Sequence, residues 1–197
     1  VRLTFAIAIV AIAGAAWAGA PREAVLDQAA WRALTDLPAP VSGHRAVAAA
    51  GALYTLGGRG RGGAVLPAVW RAALTADGAY ARWKTDRPLP VALADPAALV
   101  AGDALIVAGG TGSARGADRT LDQVWIARVG GGGLGPWEPG PALPEPVFGA
   151  GLAAVGSRVY LVGGMGTAGH RAQVLCAELR AGALSPCAPR PTTSLGS

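Results

Sequence analysis

The chain has 197 residues, 52% of them hydrophobic and 15% charged, with 30 Gly and 15 Pro. A charged share well below the usual figure of about 25%, beside ample apolar content, excludes intrinsic disorder, and the glycine and proline load argues against a helix bundle and for many short strands joined by turns. The net charge of +5 comes from arginines spread along the chain, Lys84 being the lone lysine; without a basic stripe carrying interleaved aromatics, no nucleic-acid partner is expected.

First in chain order comes a targeting segment. Arg2 precedes an apolar run from Phe5 to Ala18, with small residues at Ala16 and Ala18, which is the pattern of a signal peptide over residues 1–18. The run is shorter than the roughly 20 residues of a bilayer-spanning helix, so no stable membrane insertion is expected after cleavage. An N-terminal anchor is the alternative if Leu3 through Ala20 is counted whole. Export would make the mature chain secreted or periplasmic and would permit disulfides. Residues 19–28 form a linker.

From residue 29 to 189 the sequence repeats. Trp31, Trp83 and Trp137 recur at intervals of 52 and 54, and each is followed after 26 residues by a diglycine: Gly57-Gly58, Gly109-Gly110 and Gly163-Gly164. Apolar runs lead into each pair, from Leu53, Leu105 and Val159. Further apolar segments follow at Val69-Trp70, Val124-Trp125 and Val174-Leu175. Leu-Pro turns stand at Leu37-Pro38, Leu89-Pro90 and Leu143-Pro144. Each unit reads as four short strands. In the first, these are expected near His44–Ala50, Ala52–Gly57, Ala68–Leu74 and Ala79–Thr85, and the units run over about 36–86, 87–140 and 141–189, with 190–197 as a tail. A four-stranded sheet of about 50 residues cannot bury both faces alone; fanned around an axis, several such sheets can, which makes a β-propeller.

In these landmarks the chain resembles the kelch-repeat family: an apolar run closed by Gly-Gly, an apolar-Trp pair on the next strand (Trp70, Trp125), and a second Trp before a Leu-Pro turn (Trp31, Trp83, Trp137). The resemblance implies an all-β, kelch-like propeller of four-stranded antiparallel blades. It leaves function open, because kelch propellers include binding scaffolds as well as enzymes such as sialic acid mutarotases and galactose oxidase. The chain departs from the family in lacking the Tyr-Asp that often follows the third-strand Trp, and in keeping the His that often opens the first strand only at His44. Two His residues and no alignable Tyr-Cys arrangement argue against a copper oxidase. No metal or cofactor is expected.

About three blades are present, so the ring is incomplete and two flanks stay open. Further blades of a longer reading frame, or a second copy acting as a homo-oligomer, are the expected ways to close it.

Strand alternation brings the loops between second and third strands to one face. These loops carry Arg59, Arg61, Arg115, Arg119, His170 and Arg171, and clustered guanidinium groups grip carboxylates, so this rim is the candidate site for an anionic sugar or a protein ligand. Solvated loop tips are the plain structural alternative. His44, at the start of a first strand near the expected pore, is a further ligand-binding candidate, a histidine bonded to backbone being the plain alternative. The turn carboxylates Asp95 and Glu145 could face the channel mouth or simply fix their loops, and no residue is assigned a catalytic role. The diglycines follow strands without opening a helix, which excludes a nucleotide loop. If Ala181-Gly182 forms a two-residue hairpin turn, Cys176 faces Cys187, as the second unit aligns Ile126 with Trp137; either a disulfide closing about 12 residues and worth roughly 3 kcal/mol or two buried thiols would result.

The functional expectation is an exported propeller segment serving as a binding or scaffold module for a protein or carbohydrate ligand. The alternative is an epimerase or mutarotase acting on an acidic sugar such as sialic acid. The alanines of the first strands (Ala46, Ala48–Ala50; Ala97, Ala98; Ala150, Ala153, Ala154) lean toward the module.

Overall fold

The computed structural model describes residues 33–187, apart from 77, 78, 81, 115 and 116; of Ser113 and Ala114 only the backbone is described. The expected signal peptide, linker and tail, together with Trp31 and Arg115, therefore lie outside the described residues. Thr35 opens the folded unit.

Three sheets of four antiparallel strands follow one another. The first contains β1 (Arg45–Ala49), β2 (Ala52–Leu56), β3 (Val69–Ala73) and β4 (Lys84–Thr85), in that order. The second contains β5 (Ala97–Ala101) and β6 (Ala104–Ala108). Next comes a small hairpin, β7 (Thr111–Ala114) with β8 (Ala117–Thr120), and then β9 (Val124–Gly130) and β10 (Gly133–Pro139) complete the sheet. The third repeats this plan with β11 (Gly151–Val155), β12 (Arg158–Val162), the two-residue strands β13 (Met165–Gly166) and β14 (Gly169–His170), β15 (Val174–Arg180) and β16 (Ala183–Pro186). No α-helix occurs among the described residues. The first strands converge, β5 packing against both β1 and β11, which is the radial arrangement of blades around a centre.

Two details differ from the sequence expectation. The outer strand of the first blade is only Lys84–Thr85, so Trp83 stands just ahead of it. A bulge between Leu134 and Trp137 sets Trp137 opposite Ala127 instead of Ile126, because an extra residue in one strand shifts all later pairing by one. The loops between second and third strands are also more structured than loop chemistry implies: the first has a 3-10 turn at Arg61–Gly63, and the other two form β7–β8 and β13–β14.

The core occupies the seams between blades. One cluster joins the first blade to the second through Tyr54, Leu56, Val69, Leu105 and Val107, with Trp125 and Trp137 packed against it. Another joins the second to the third through Ile106, Val124, Val159 and Leu161. Position in the fan sets the burial of each strand. All five residues of β6 are buried because a blade covers each of its faces. The equivalent β12 alternates, with Val159 and Leu161 buried and Arg158 and Val162 exposed, since only one face is covered.

Diglycines pin successive blades. Gly57 and Gly109 hold left-handed backbone at φ +63° and +61°. A Cβ on Gly57 would overlap the Leu93 carbonyl oxygen, and one on Gly109 that of Val147, so only glycine fits. The second glycine of each pair donates to that same carbonyl, Gly58 N–H to Leu93 O at 2.7 Å and Gly110 N–H to Val147 O at 2.8 Å. Each acceptor lies in the connector that leads into the following blade.

Candidate functional site

The blade connectors and the loops between second and third strands come together on one face. Backbone pairs tie Ser42 to Arg59, Ala94 to Thr111 and Phe148 to Met165, at equivalent places in the three blades. A second chain of bonds runs from blade to blade: Asp95 N–H donates to Gly43 O at 2.7 Å, and Gly149 N–H to Asp95 O at 2.9 Å. Gly43, Asp95 and Gly149 all have positive φ, at +60°, +51° and +64°. Asp95 is the member of this trio whose side chain accepts a conformation that suits glycine better, and its carboxylate lies against Gly43. Next to Gly43 is His44, half-buried, with Nδ1 buried and without a hydrogen-bond partner.

Two of the rim arginines are held by carboxylates. Arg59 Nη1 donates to Asp118 Oδ2 at 2.6 Å, joining the loops of the first and second blades. Arg171 donates to Glu145, joining a loop of the third blade to the connector that precedes it. Arg61, Arg119 and His170 are exposed, and no hydrogen-bond or ion-pair partner is found for their side chains among the described residues. The structure thus gathers Arg59, Arg61 and Arg119 around the first two loops and sets Arg171, His170 and Glu145 around the third. Asp118 was not singled out from sequence; its signal was its position next to Arg119 in a loop otherwise read only for cations. Among the described residues no group of three or more His, Cys, Asp or Glu side chains comes together to hold a metal.

Away from this face, Cys176 and Cys187 form a disulfide with a Cα–Cα distance of 5.7 Å. The pairing of Ala177 with Pro186 continues directly to the two cysteines, and Ala181 (φ +50°) with Gly182 (φ +85°) makes the turn. Between the first two blades lies a polar cluster with no forerunner in the sequence reading. Arg71 Nε meets Asp86 Oδ2 at 3.2 Å, and Arg71 Nη1 donates to Gly131 O at 3.1 Å. Asp86 Oδ1 accepts the Leu134 N–H at 3.2 Å. Tyr54 is fully buried beside this pair; burial pushes its hydroxyl pKa up, partly opposed by the Arg71 charge.

Among the described residues these features define three four-stranded antiparallel blades of a β-propeller-like fold, consistent with part of a ring. No family model and no curated protein matches the sequence. Among solved structures, the one titled "Structure of YjhT" aligns at a TM-score of 0.65 with 16% sequence identity, over 79% of this chain and 48% of that chain. The chain therefore spans about half the length of that structure. No helix among the described residues is long and apolar enough to cross a membrane.

Proposed function

We propose that this chain is an exported, kelch-like propeller segment acting as a binding or scaffold module, with a protein or carbohydrate ligand met on the loop face. The observation that carries this reading is the composition of the strands nearest the centre. β1, β5 and β11 read RAVAA, AALVA and GLAAV, so Arg45 is their one charged side chain and small apolar groups supply the rest. Such an axis offers no constellation for proton transfer, whereas the outer rim offers Arg61, Arg119 and His170 as donors for an acidic partner. The test is an array of acidic and neutral glycans and acidic peptides probed with the full chain and with the Arg61→Ala/Arg119→Ala variant. Acidic hits that weaken at least tenfold in the variant are expected; unchanged retention would overturn the rim as the site.

Asp95 favours a second reading, a mutarotase or epimerase for an acidic sugar such as sialic acid, because it holds a carboxylate in an uncommon backbone conformation close to His44. Faster exchange between the anomers of sialic acid, followed by NMR and lost in Asp95→Asn, is what this reading requires.

Ring closure belongs to the same proposal. Gly163 and Gly164 repeat the pinning conformation at φ +62° and +94°, yet among the described residues no following connector meets them as Leu93 and Val147 meet the earlier pairs. On the same blade Val155, Val162 and Val174 are 70%, 48% and 58% exposed. Further blades, or a second copy, would cover this apolar flank. Sedimentation of the full chain distinguishes the two: a dimer that Val162→Asp splits supports the second copy, and a monomer at all concentrations excludes it.

A further inference from the structure

The seam between the second and third blades contains an apolar cleft of about 240 Å³. Its origin is visible when the two seams are superimposed strand by strand. Where the first seam has Tyr54 and Leu56 on β2, the second has Ile106 and Ala108 on β6. Where the first has Trp125 on β9 and Trp137 opposite Ala127 on the outer strand, the second has Leu175 on β15 and Pro186 opposite Ala177 on β16. All four exchanges remove side-chain volume, and two of them remove an indole. Apolar cavities of about 150 Å³ are known to stay dry and take up benzene, so this one has room for a fused bicyclic ring.

The polar edge of the cleft specifies more than size. In the first two blades the outer Trp donates its indole N–H to a backbone carbonyl at a repeated position: Trp83 Nε1 to Thr35 O at 3.3 Å, and Trp137 Nε1 to Arg87 O at 3.4 Å. Pro141 occupies that position ahead of the third blade, lines the cleft, and among the described residues its carbonyl has no donor. Pro144 and Pro186 line the cleft as well. Prolines bring carbonyl acceptors and no N–H, so the rim calls for a ligand that donates.

We propose that this cleft binds a small planar bicyclic aromatic compound bearing one ring N–H, of the indole class, which takes the place of the indole that the other two blades supply covalently. The proposal is independent of the loop-face reading and of how the ring closes. Free indole, added to the full chain and followed by calorimetry and by saturation-transfer NMR of the ligand, is expected to bind saturably. 1-Methylindole, which keeps the shape and loses the N–H, is expected to bind at least threefold more weakly. Ala108→Leu restores the side chain of the equivalent Leu56 and Leu175→Trp that of Trp125; each fills the cleft and is expected to weaken indole at least tenfold. A cooperative thermal melt identifies which of the two variants folds, and either one suffices. Absence of saturable indole binding to the unaltered chain, or unchanged binding in a folded filled variant, overturns the site; equal binding of 1-methylindole overturns the role of the N–H.

Discussion

The two seams of this molecule are built on one plan and filled in different ways. Between the first and second blades, Tyr54, Leu56, Trp125 and Trp137 interlock, and Arg71 with Asp86 clamps the edge by reaching Gly131 O and Leu134 N–H. Between the second and third, Ile126 stands where Arg71 does and Gly140 where Asp86 does, so the clamp is gone. What remains at that edge is Arg128, paired with Asp103 and donating to Ala181 O at 2.6 Å, while the Cys176–Cys187 disulfide holds the outer hairpin locally. A disulfide within one blade constrains that blade in the unfolded state but adds no area between blades. The repeat thus fixes where a seam forms, and the volumes of four side chains decide how well it is filled.

Changing one side chain in each seam tests that difference most strongly. Leu56→Ala opens a void in a filled seam and should lower stability by about 3 kcal/mol. The reverse change at the equivalent place, Ala108→Leu, enters existing space and should raise stability by about 1 kcal/mol. Urea melts of the two variants against the parent chain give both signs; equal destabilisation by both would mean that the seams are equally packed.

A smaller effect separates the pinned diglycines from the unpinned one. Gly57→Ala must combine left-handed backbone with overlap of the Leu93 carbonyl and should lower stability by about 2 kcal/mol or more. In Gly163→Ala the nearest described atom to the new Cβ is Arg171 O at 3.3 Å, which leaves mainly the backbone penalty of about 1 kcal/mol. A larger loss at Gly163, read from the same melts, would show that another connector already covers the third pair.

The smallest difference is confined to alkaline pH. The raised pKa of Tyr54 means that the folded chain keeps this proton while the unfolded chain releases it near pH 10. Its contribution to stability is complete below that pH and is lost as pH rises through the folded value. Tyr54→Phe should flatten this part of the stability profile above pH 10, a change measurable by denaturation at stepped pH, while the second seam, with Ile106 in the equivalent place, has nothing to titrate.

Much of the architecture could be read from residue spacing. The strand limits of the first blade are met within about a residue, except at its outer strand, and the hairpin register that brings Cys176 to Cys187 is the one formed. Such features depend on short-range periodicity and turn chemistry, which a sequence carries locally. The loop face was legible only by type of residue. Arg59 and Arg171 were visible as cations, but their neutralisation by Asp118 and Glu145 was not, because those partners sit 59 and 26 residues away in the chain. The bulge before Trp137 was not legible for a different reason: one extra residue in a strand leaves no compositional trace.

By itself, the sequence determined that this chain forms repeated four-stranded sheets, where each begins, and which glycines must turn sharply, since alternation, diglycine and Trp spacing act within a single unit. Tertiary structure decided which carboxylate meets which arginine, that Asp95 takes a place its counterparts give to glycine, and that one seam closes tightly while the other keeps a cleft. Those outcomes depend on volumes and charges brought together from residues some 50 positions apart, and only the packed blades bring them into contact.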